Sequence, residues 1–537
     1  MSNPFPERPG RLMLLLLAVH IGVWSWVGVA HRGNLDGPGD MLEAFVWGQA
    51  WQWGYYKHPP LMAWLAGGWF SVFPRTDLSF AALAATCSAV SLAGFACLLR
   101  QILPPRWVTP TCIAAFLLPA VTVMALRFNA NTVVLATWPW VVVFFLRYVF
   151  RPHPGHAAML AVSAALAMHA KYFSAVLLLA MLIGMLLHAP WRVVLLRPLT
   201  GAVLVLWLLL MLPHGLWLER NEWAPFTYAA AAAGGGLSDA LPRALNFLAA
   251  QVVLAVPAML VLVGALTAAS ASGSGLQWLR VTVAAFIALL RPGRDPLWWP
   301  LIGPAVLTAF ATVVIGARTS TVWGLPLQLF ALAFLARALA QQQPAAAPRQ
   351  GVGPELKPVL LLWFAAAGLA PLVWQLRALQ GDVSVADPRA ELAQQVHALW
   401  RQRHGSALPW VAGSEVHAAS VAFYGANPDR AAGGIGGELP PARYWSLEHP
   451  ELRSPWVSMA QLRAEGSAIV CRMDDEPCRR TATLLSERRL TLSVAKLQRG
   501  VRFAPRSFEV HWLDPAATPS ALHQLATTSP TPSERAQ

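Results

Sequence analysis

Residues 12–30 read LMLLLLAVHIGVWSWVGVA, a run without a single formal charge. A bilayer core roughly 30 Å thick is crossed by about 20 apolar residues in a helix, so this run is expected to span a membrane. A secretory signal would have a shorter apolar region followed by a small-residue cleavage site. None stands out here, and the run is expected to stay as an uncleaved first span. The composition of the whole chain agrees. Of 537 residues 56% are hydrophobic and 12% charged, whereas a soluble domain carries about 25% charged residues. That deficit excludes a large soluble core and leaves a polytopic membrane protein. The 25 tryptophans fit the membrane–water interface.

Outward from this run, windows of similar length recur near 78–99, 107–126, 131–149, 157–170, 173–189, 199–217, 244–267, 297–316, 322–339 and 358–376. The expected fold is mainly α, with about eleven transmembrane helices. The run 157–170 is short, and 276–292 reads as a surface helix on the cytoplasmic side. Eleven spans put the termini on opposite sides. With the N-terminus inside, the cytoplasmic segments carry 14 Lys and Arg and the short outer loops 8. Basic residues favour the cytoplasmic face, so the N-terminus is placed in the cytoplasm and the C-terminal part outside. The net charge of +14 is uneven: up to Leu376 there are 22 Lys and Arg against 10 Asp and Glu, and from Arg377 onward 18 against 16. A basic excess confined to the membrane part points to topology and to phosphates or anionic headgroups, not to nucleic acid.

The organisation expected is a core over 1–340 with its first outer loop at 31–77, a Pro- and Gln-rich cytoplasmic linker at 341–357, a last span at 358–376, a periplasmic α/β domain at 377–515 and a disordered tail at 516–537. In the outer domain, helices are expected over 387–403 and 415–424. Strands are expected at 409–412 and 468–471, with two or three more between 490 and 510. Cys87, Cys97 and Cys112 lie in apolar helix, where a small buried side chain is the plain role. Cys471 and Cys478 lie in the outer domain. An oxidising compartment would let them pair; the alternative is two free thiols. No zinc-ligand spacing occurs.

The first outer loop holds the residues with chemistry in them: DGPGDMLEAFVWGQAWQWGYYKHPPLMAW, 36–64. Asp40 and Glu43 are three apart and share a face if 41–53 is helical. Asp40 also stands where an N-cap would, and its plain role is to cap a surface helix. After Tyr55 and Tyr56 come Lys57 and His58, fixed by Pro59 and Pro60. Two cations held beside a bilayer suit a phosphate; the alternative is snorkelling to headgroups. Lys171 lies between two apolar runs, where a charge is costly unless used, although an interfacial lysine is the simpler reading. Arg127 and Arg318 occupy other outer loops and stand behind these as phosphate ligands. Arg318 reads equally as an interface anchor.

Asp40-Met-Leu-Glu43-Ala, then Trp47-Gly48-Gln49, then Gly54-Tyr55-Tyr56-Lys57-His58-Pro59-Pro60-Leu61 resembles the first outer loop of a membrane glycosyltransferase family. These are the polyprenyl-phosphate-sugar-dependent enzymes of glycosyltransferase family 39 type, with protein O-mannosyltransferases and the aminoarabinose transferase of lipid A among them. The likeness extends over roughly 10–340 in hydropathy and loop order. Outside the loop it is specific only at Arg127-Phe-Asn129-Ala-Asn131 and His169-Ala-Lys171-Tyr172. It implies a C-type glycosyltransferase fold with its active site at the outer face of the bacterial inner membrane. It also implies Asp40 as the catalytic carboxylate acting as base, and Tyr55, Tyr56, Asn129, Asn131 and Tyr172 along the substrate. Two features depart from the family. The acids are spaced rather than adjacent, and Asn129 and Asn131 stand where many members have a second Asp.

The expected activity is therefore an inverting hexosyl- or pentosyltransfer from a polyprenyl-phosphate sugar to an envelope acceptor: lipid A, lipopolysaccharide core, another glycan or protein. A hydroxyl nucleophile needs a carboxylate to receive its proton, and a phosphate leaving group needs fixed cations. No cofactor is required with certainty; a divalent metal is the one candidate. The rival from another class is a transporter or flippase of lipid-linked sugars, which needs the basic groove but no base. Paired halves and helices broken near mid-bilayer would mark it. A third option is an envelope scaffold acting through its outer domain.

Overall fold

The computed structural model describes residues 10–37, 39–232, 237–269, 280, 283–287, 291, 295–342, 356–425 and 441–516. Residues 343–355 of the expected linker, the tail from 517 and most of 276–292 lie outside them. The chain forms two compact units. One comprises Met1–Asp36 and Trp51–Val385, the other Gly37–Ala50 and Ala386–Gln537.

The first unit is helical and crosses a membrane. Its helices are α1 (Arg11–Ala30), α3 (Leu61–Phe70), α4 (Asp77–Ile102), α5 (Pro105–Ala115), α6 (Ala130–Phe150), α7 (Pro154–Ala170), α8 (Ala175–Leu187), α9 (Ala189–Leu195), α10 (Pro198–Arg220), α11 (Ala224–Ala232), α12 (Leu237–Ala269), α13 (Gly303–Ile315), α14 (Leu325–Gln342) and α15 (Leu356–Leu379); α2 belongs to the other unit. Local signals set the ends. The Thr76 hydroxyl accepts from the Ser79 N–H at the start of α4, and Asn129 Oδ1 accepts from the N–H groups of Asn131 and Thr132 at the start of α6. These are side-chain caps for otherwise orphaned donors. Helix α4 packs against α1 and α6, α6 against α7, and α7 against α10.

Among the described residues seven helices are long and apolar enough to cross a membrane, or up to nine if each of two bent pairs is one span. The expectation of about eleven is not reproduced by this measure. Residues 107–126 bend by 65° between α5 and the turn at Pro119–Leu126, and 173–189 leads into a 112° bend between α8 and α9. Proline stands at both breaks, Pro119 and Pro190, where it removes a donor and crowds the preceding turn. Helix α7 has 17 residues, and the run 297–316 keeps only the 13 of α13 in one helix.

The second unit is α/β. It contains α2 (Asp40–Gly48), α16 (Arg389–His404), α17 (Glu415–Tyr424) and α18 (Glu476–Leu485). Its five-stranded sheet has the order β2 (Arg443–Tyr444), β1 (Trp410–Gly413), β3 (Ser467–Arg472), β7 (Arg506–Leu513), β4 (Arg489–Val494). Strands β2, β1 and β3 are parallel, and β7 runs antiparallel to β3 and β4. Strands β5 (Leu497–Gln498) and β6 (Val501–Arg502) form a separate hairpin. Trp410, Ala412, Trp445, Leu462, Ile469 and Ala482 form the core beside the Cys471–Cys478 disulfide, which ties β3 to α18. Cys87 and Cys112 are free and buried, and Cys97 is free and half-buried.

Candidate active site

In the membrane unit the segment 51–60 is folded tightly. The Tyr55 N–H donates to the His58 carbonyl at 3.0 Å, and the Trp64 indole N–H donates to the Gln52 carbonyl at 2.9 Å. Gly54 is required by space: a Cβ there would lie 2.4 Å from the Trp217 ring. The turn leaves Lys57 and His58 half-buried. Lys57 Nζ sits 5.8 Å from the centre of the Tyr56 ring.

Lys171 stands in extended backbone where α7 stops. Its Nζ donates to Asn131 Oδ1 at 2.8 Å and lies 4.3 Å from the centre of the Trp323 ring. The His58 imidazole is pushed well below its usual range, first by burial and then by the positive charges of Lys171 and Lys57. Both lysines therefore act on one imidazole, which is neutral near pH 7. Of the donor-phosphate ligands expected from the sequence, Lys57, His58 and Lys171 form one group.

Arg127 has an acidic partner, and Arg318 lies in the turn after α13. The Arg127 guanidinium pairs at 3.4 Å with Asp36, whose side chain is 1% exposed. Arg32 joins this pair, donating to the carbonyls of Leu35 and Leu126. Burial lowers Arg32 to about 10, against the pull of Asp36, so it stays charged at neutral pH. Arg318 is exposed in the turn after α13, and among the described residues no hydrogen bond or ion pair ties it to Lys57, His58 or Lys171.

The expected substrate-binding residues divide as well. Asn131 holds Lys171 and Asn129 caps α6. Tyr55 is buried, with its hydroxyl accepting from the Gln52 N–H. The Tyr56 ring meets Tyr228 edge-on at 5.7 Å. The Tyr172 hydroxyl lies 3.0 Å from His214 Nε2. His214 is the residue the sequence did not single out. Its Nδ1 lies 2.6 Å from the Trp53 carbonyl. A carbonyl only accepts, so Nδ1 carries the proton and Nε2 accepts from Tyr172. One buried imidazole thus links the turn of Lys171 to the turn of Lys57. A lone His in an apolar run, 161 residues from its partner, gives no local signal.

Beside the Lys57 turn, α3, α4, α6 and α7 enclose an apolar groove of about 770 Å³ whose walls include Trp64, Trp69, Phe73, Val90, Trp140 and Phe144. Trp64 also meets Trp53 edge-on at 4.9 Å and lies 5.8 Å from His169. The groove wall and the turn carrying the cations therefore share a residue.

The carboxylates belong to the second unit. Helix α2 is capped by Gly39 at φ 91° with no side-chain cap bond, and Asp40 is its first residue. The expectation that Asp40 caps the helix is thus corrected: the left-handed conformation at the cap falls to glycine. Asp40 and Glu43 both lie in the first turn, on one face, where the helix dipole favours negative charge. Glu43 is buried and Asp40 half-buried. The helix ends at Gly48, short of the 41–53 expected. Among the described residues no group of three His, Cys, Asp or Glu side chains is placed to hold a metal ion.

Residues 57–217 match the family model described as dolichyl-phosphate-mannose-protein mannosyltransferase. The matched segment begins at Lys57 and takes in Lys171, His214 and the groove. No curated protein matches the chain. Among solved structures the chain is similar to ArnT from Cupriavidus metallidurans in the apo state. The TM-score is 0.56 at 13% identity, over 94% of this chain and 99% of that one. The same protein bound to undecaprenyl phosphate gives a TM-score of 0.54 at 15% identity, over the same shares. At such identities the likeness is one of fold. The resemblance seen in the sequence is thus met by the family model over 57–217 and by the fold of ArnT over nearly the whole chain.

Proposed function

We propose that this membrane-spanning glycosyltransferase moves one sugar from a polyprenyl-phosphate donor to a hydroxyl of a cell-envelope acceptor, with inversion, at the periplasmic face of the bacterial inner membrane. The observation that carries the reading is the group formed by Lys57, Lys171 and a neutral His58 next to an apolar groove. A polyprenyl phosphate is an anion on a long hydrocarbon chain, and this arrangement offers one feature to each part. The groove takes isoprene units. The two ammonium groups neutralise the phosphate as it leaves, and the neutral imidazole has an N–H to give to a phosphate oxygen.

The acceptor hydroxyl attacks the anomeric carbon as the bond from that carbon to the phosphate oxygen breaks. The hydroxyl proton passes to the Asp40 carboxylate, with Glu43 on the same face to share the charge, and the electron pair of the broken bond leaves on the polyprenyl phosphate. One displacement inverts the anomeric centre. Asn129 and Asn131 have no proton affinity to offer, so the base is on α2. The transferred sugar is a hexose or pentose unit, and the acceptor is lipid A, lipopolysaccharide core, another glycan or protein. The excess of basic residues on the segments assigned to the cytoplasm, 14 against 8, supports an outward-facing loop.

The test is mass spectrometry of envelope lipids and glycans from a strain lacking the protein, with native mass spectrometry of the purified chain and undecaprenyl phosphate. Loss of one hexose- or pentose-sized decoration together with undecaprenyl phosphate binding supports the reading. An unchanged envelope together with no binding overturns it.

A further inference from the structure

We infer that the outer domain is the positioning element of the catalytic carboxylates: it builds the seat on which α2 holds Asp40 and Glu43. The inference rests on the reading of α2 as the base-bearing helix. Residues 37–50 are part of the outer compact unit although 335 residues, 51–385, separate them from the rest of it.

The seat is α17, buried from His417 to Tyr424. At one end, a Cβ on Gly39 would stand 3.0 Å from Val416 Cγ2. Six residues further along α2, the Phe45 ring meets Phe423 edge-on at 5.1 Å, seven residues further along α17. Contacts that advance six and seven residues together mean that the two helices run side by side in the same direction. Past the end of α2, Gln49 is gripped through both ends of its amide. Its Nε2 donates to the Ala442 carbonyl at 3.1 Å and its Oε1 accepts from the Tyr444 N–H at 3.4 Å, which fastens it to the strand at the edge of the sheet. Before α2, the Arg389 guanidinium reaches the Gly37 carbonyl at 3.5 Å.

The seat is itself fixed. His417 at the start of α17 bonds to Asp387, as does Arg389. Further along, the imidazole of His397 on α16 is 3.1 Å from the Val421 carbonyl. A nine-residue helix has little stability of its own in water, so the direction of the two carboxylates is set by these contacts. Gln49 and Phe423 are positioning residues: they touch no substrate in the proposed reaction and act through α2.

The experiment uses the full chain in lipid nanodiscs and in a complementing strain, with Gln49→Leu, Phe423→Ala, and Asp40→Asn for comparison. In Gln49→Leu and Phe423→Ala, amide exchange over 40–48 rises tenfold or more while strands β3 and β7 keep their protection. Undecaprenyl phosphate binding by native mass spectrometry stays within twofold, and the decorated envelope product falls 10- to 100-fold. A merely unfolded variant would lose protection in the strands too. Asp40→Asn loses product with exchange unchanged. If 40–48 keeps its protection in both variants, or loosens while product stays within twofold, the domain does not position the carboxylates, even where Asp40→Asn is inactive. If Asp40→Asn and Glu43→Gln both leave product unchanged, the base reading itself is overturned, and this inference with it.

Discussion

At Lys171 the ammonium already has an amide oxygen and an indole face as neighbours, so it is held in place before any phosphate arrives. A hydrogen bond to a charged group contributes about 1.5–3 kcal/mol, and each 1.4 kcal/mol is tenfold in affinity. Lys171→Met and Lys57→Met are therefore expected to weaken undecaprenyl phosphate binding about 10- to 100-fold, measured by native mass spectrometry; unchanged affinity in both variants removes the phosphate assignment. Asp40→Asn keeps the shape of the carboxylate without its proton affinity. Its turnover is expected to fall by about 10²–10⁴ with folding intact, the range for losing a general base. Should Asp40→Asn stay active while Glu43→Gln does not, the two exchange roles. Lys171 draws the eye in the sequence because it is a charge between apolar runs, and Lys57 because two prolines follow close behind it. His214 does not, since its meaning lies in partners far along the chain. The cap that Asn129 provides has a local sign of its own, since Asn-Ala-Asn-Thr before an apolar run is a helix-start signal.

Among the elements of the α/β domain, the carboxylate of Asp387 gathers the most partners, His417, Arg389 and Arg506. Burial pushes its carboxyl up, but hydrogen bonding and charge from His417, with Arg389, outweigh that and hold it below the ordinary carboxylate range. A depressed folded value means stability that is complete above the unfolded value, about 3.9, and lost as pH falls through the folded one. Acid unfolding of the α/β domain is thus expected to set in below about pH 4. Asp387→Asn leaves Arg389 buried beside a neutral amide, a loss of about 3–5 kcal/mol. Scanning calorimetry of the full chain should show that domain melting roughly 6–20 °C lower, with the pH dependence below 4 reduced. An unshifted transition would mean that the network is neutral in effect. Helices α16 and α17 and strands β1 and β3 were legible from their periods, because short apolar runs between turn residues leave few alternatives, whereas α18 and the two-residue β2 were not. Nor were the bent spans. A hydropathy window averages composition and has no term for direction, and the prolines at 119 and 190 carried the only sign of a break.

For the molecule as a whole, sidedness is the decisive property. Gly37 and Gly155 are both exposed and lie on opposite sides in the topology proposed. Gly37→Cys is expected to react with an impermeant thiol reagent in intact spheroplasts, and Gly155→Cys only after lysis. Cys87 and Cys112 are buried, Cys471 and Cys478 are bonded to each other, and Cys97 is free and half-buried, so both variants are made in a Cys97→Ser background. The reverse pattern would put the loop before nucleotide sugars and take away the reason for a lipid-linked donor. That the chain is a multi-span membrane protein followed from composition, and that it carries an α/β domain from the periods after residue 386. That residues 37–50 belong to that domain did not, because no window of sequence states which distant segment a helix will pack against.

This division has a consequence for the order of manufacture. The segment bearing Asp40 and Glu43 leaves the ribosome early, while its seat is encoded after residue 386. At about 5–20 residues per second, the 335 residues between keep it waiting roughly 17–67 s. A chain cut short by stalled translation would then carry the lysines proposed to meet the phosphate and lack the surface against which α2 packs. In the reading proposed, such a fragment would bind donor without transferring its sugar, a result that a chain truncated at residue 385 can check.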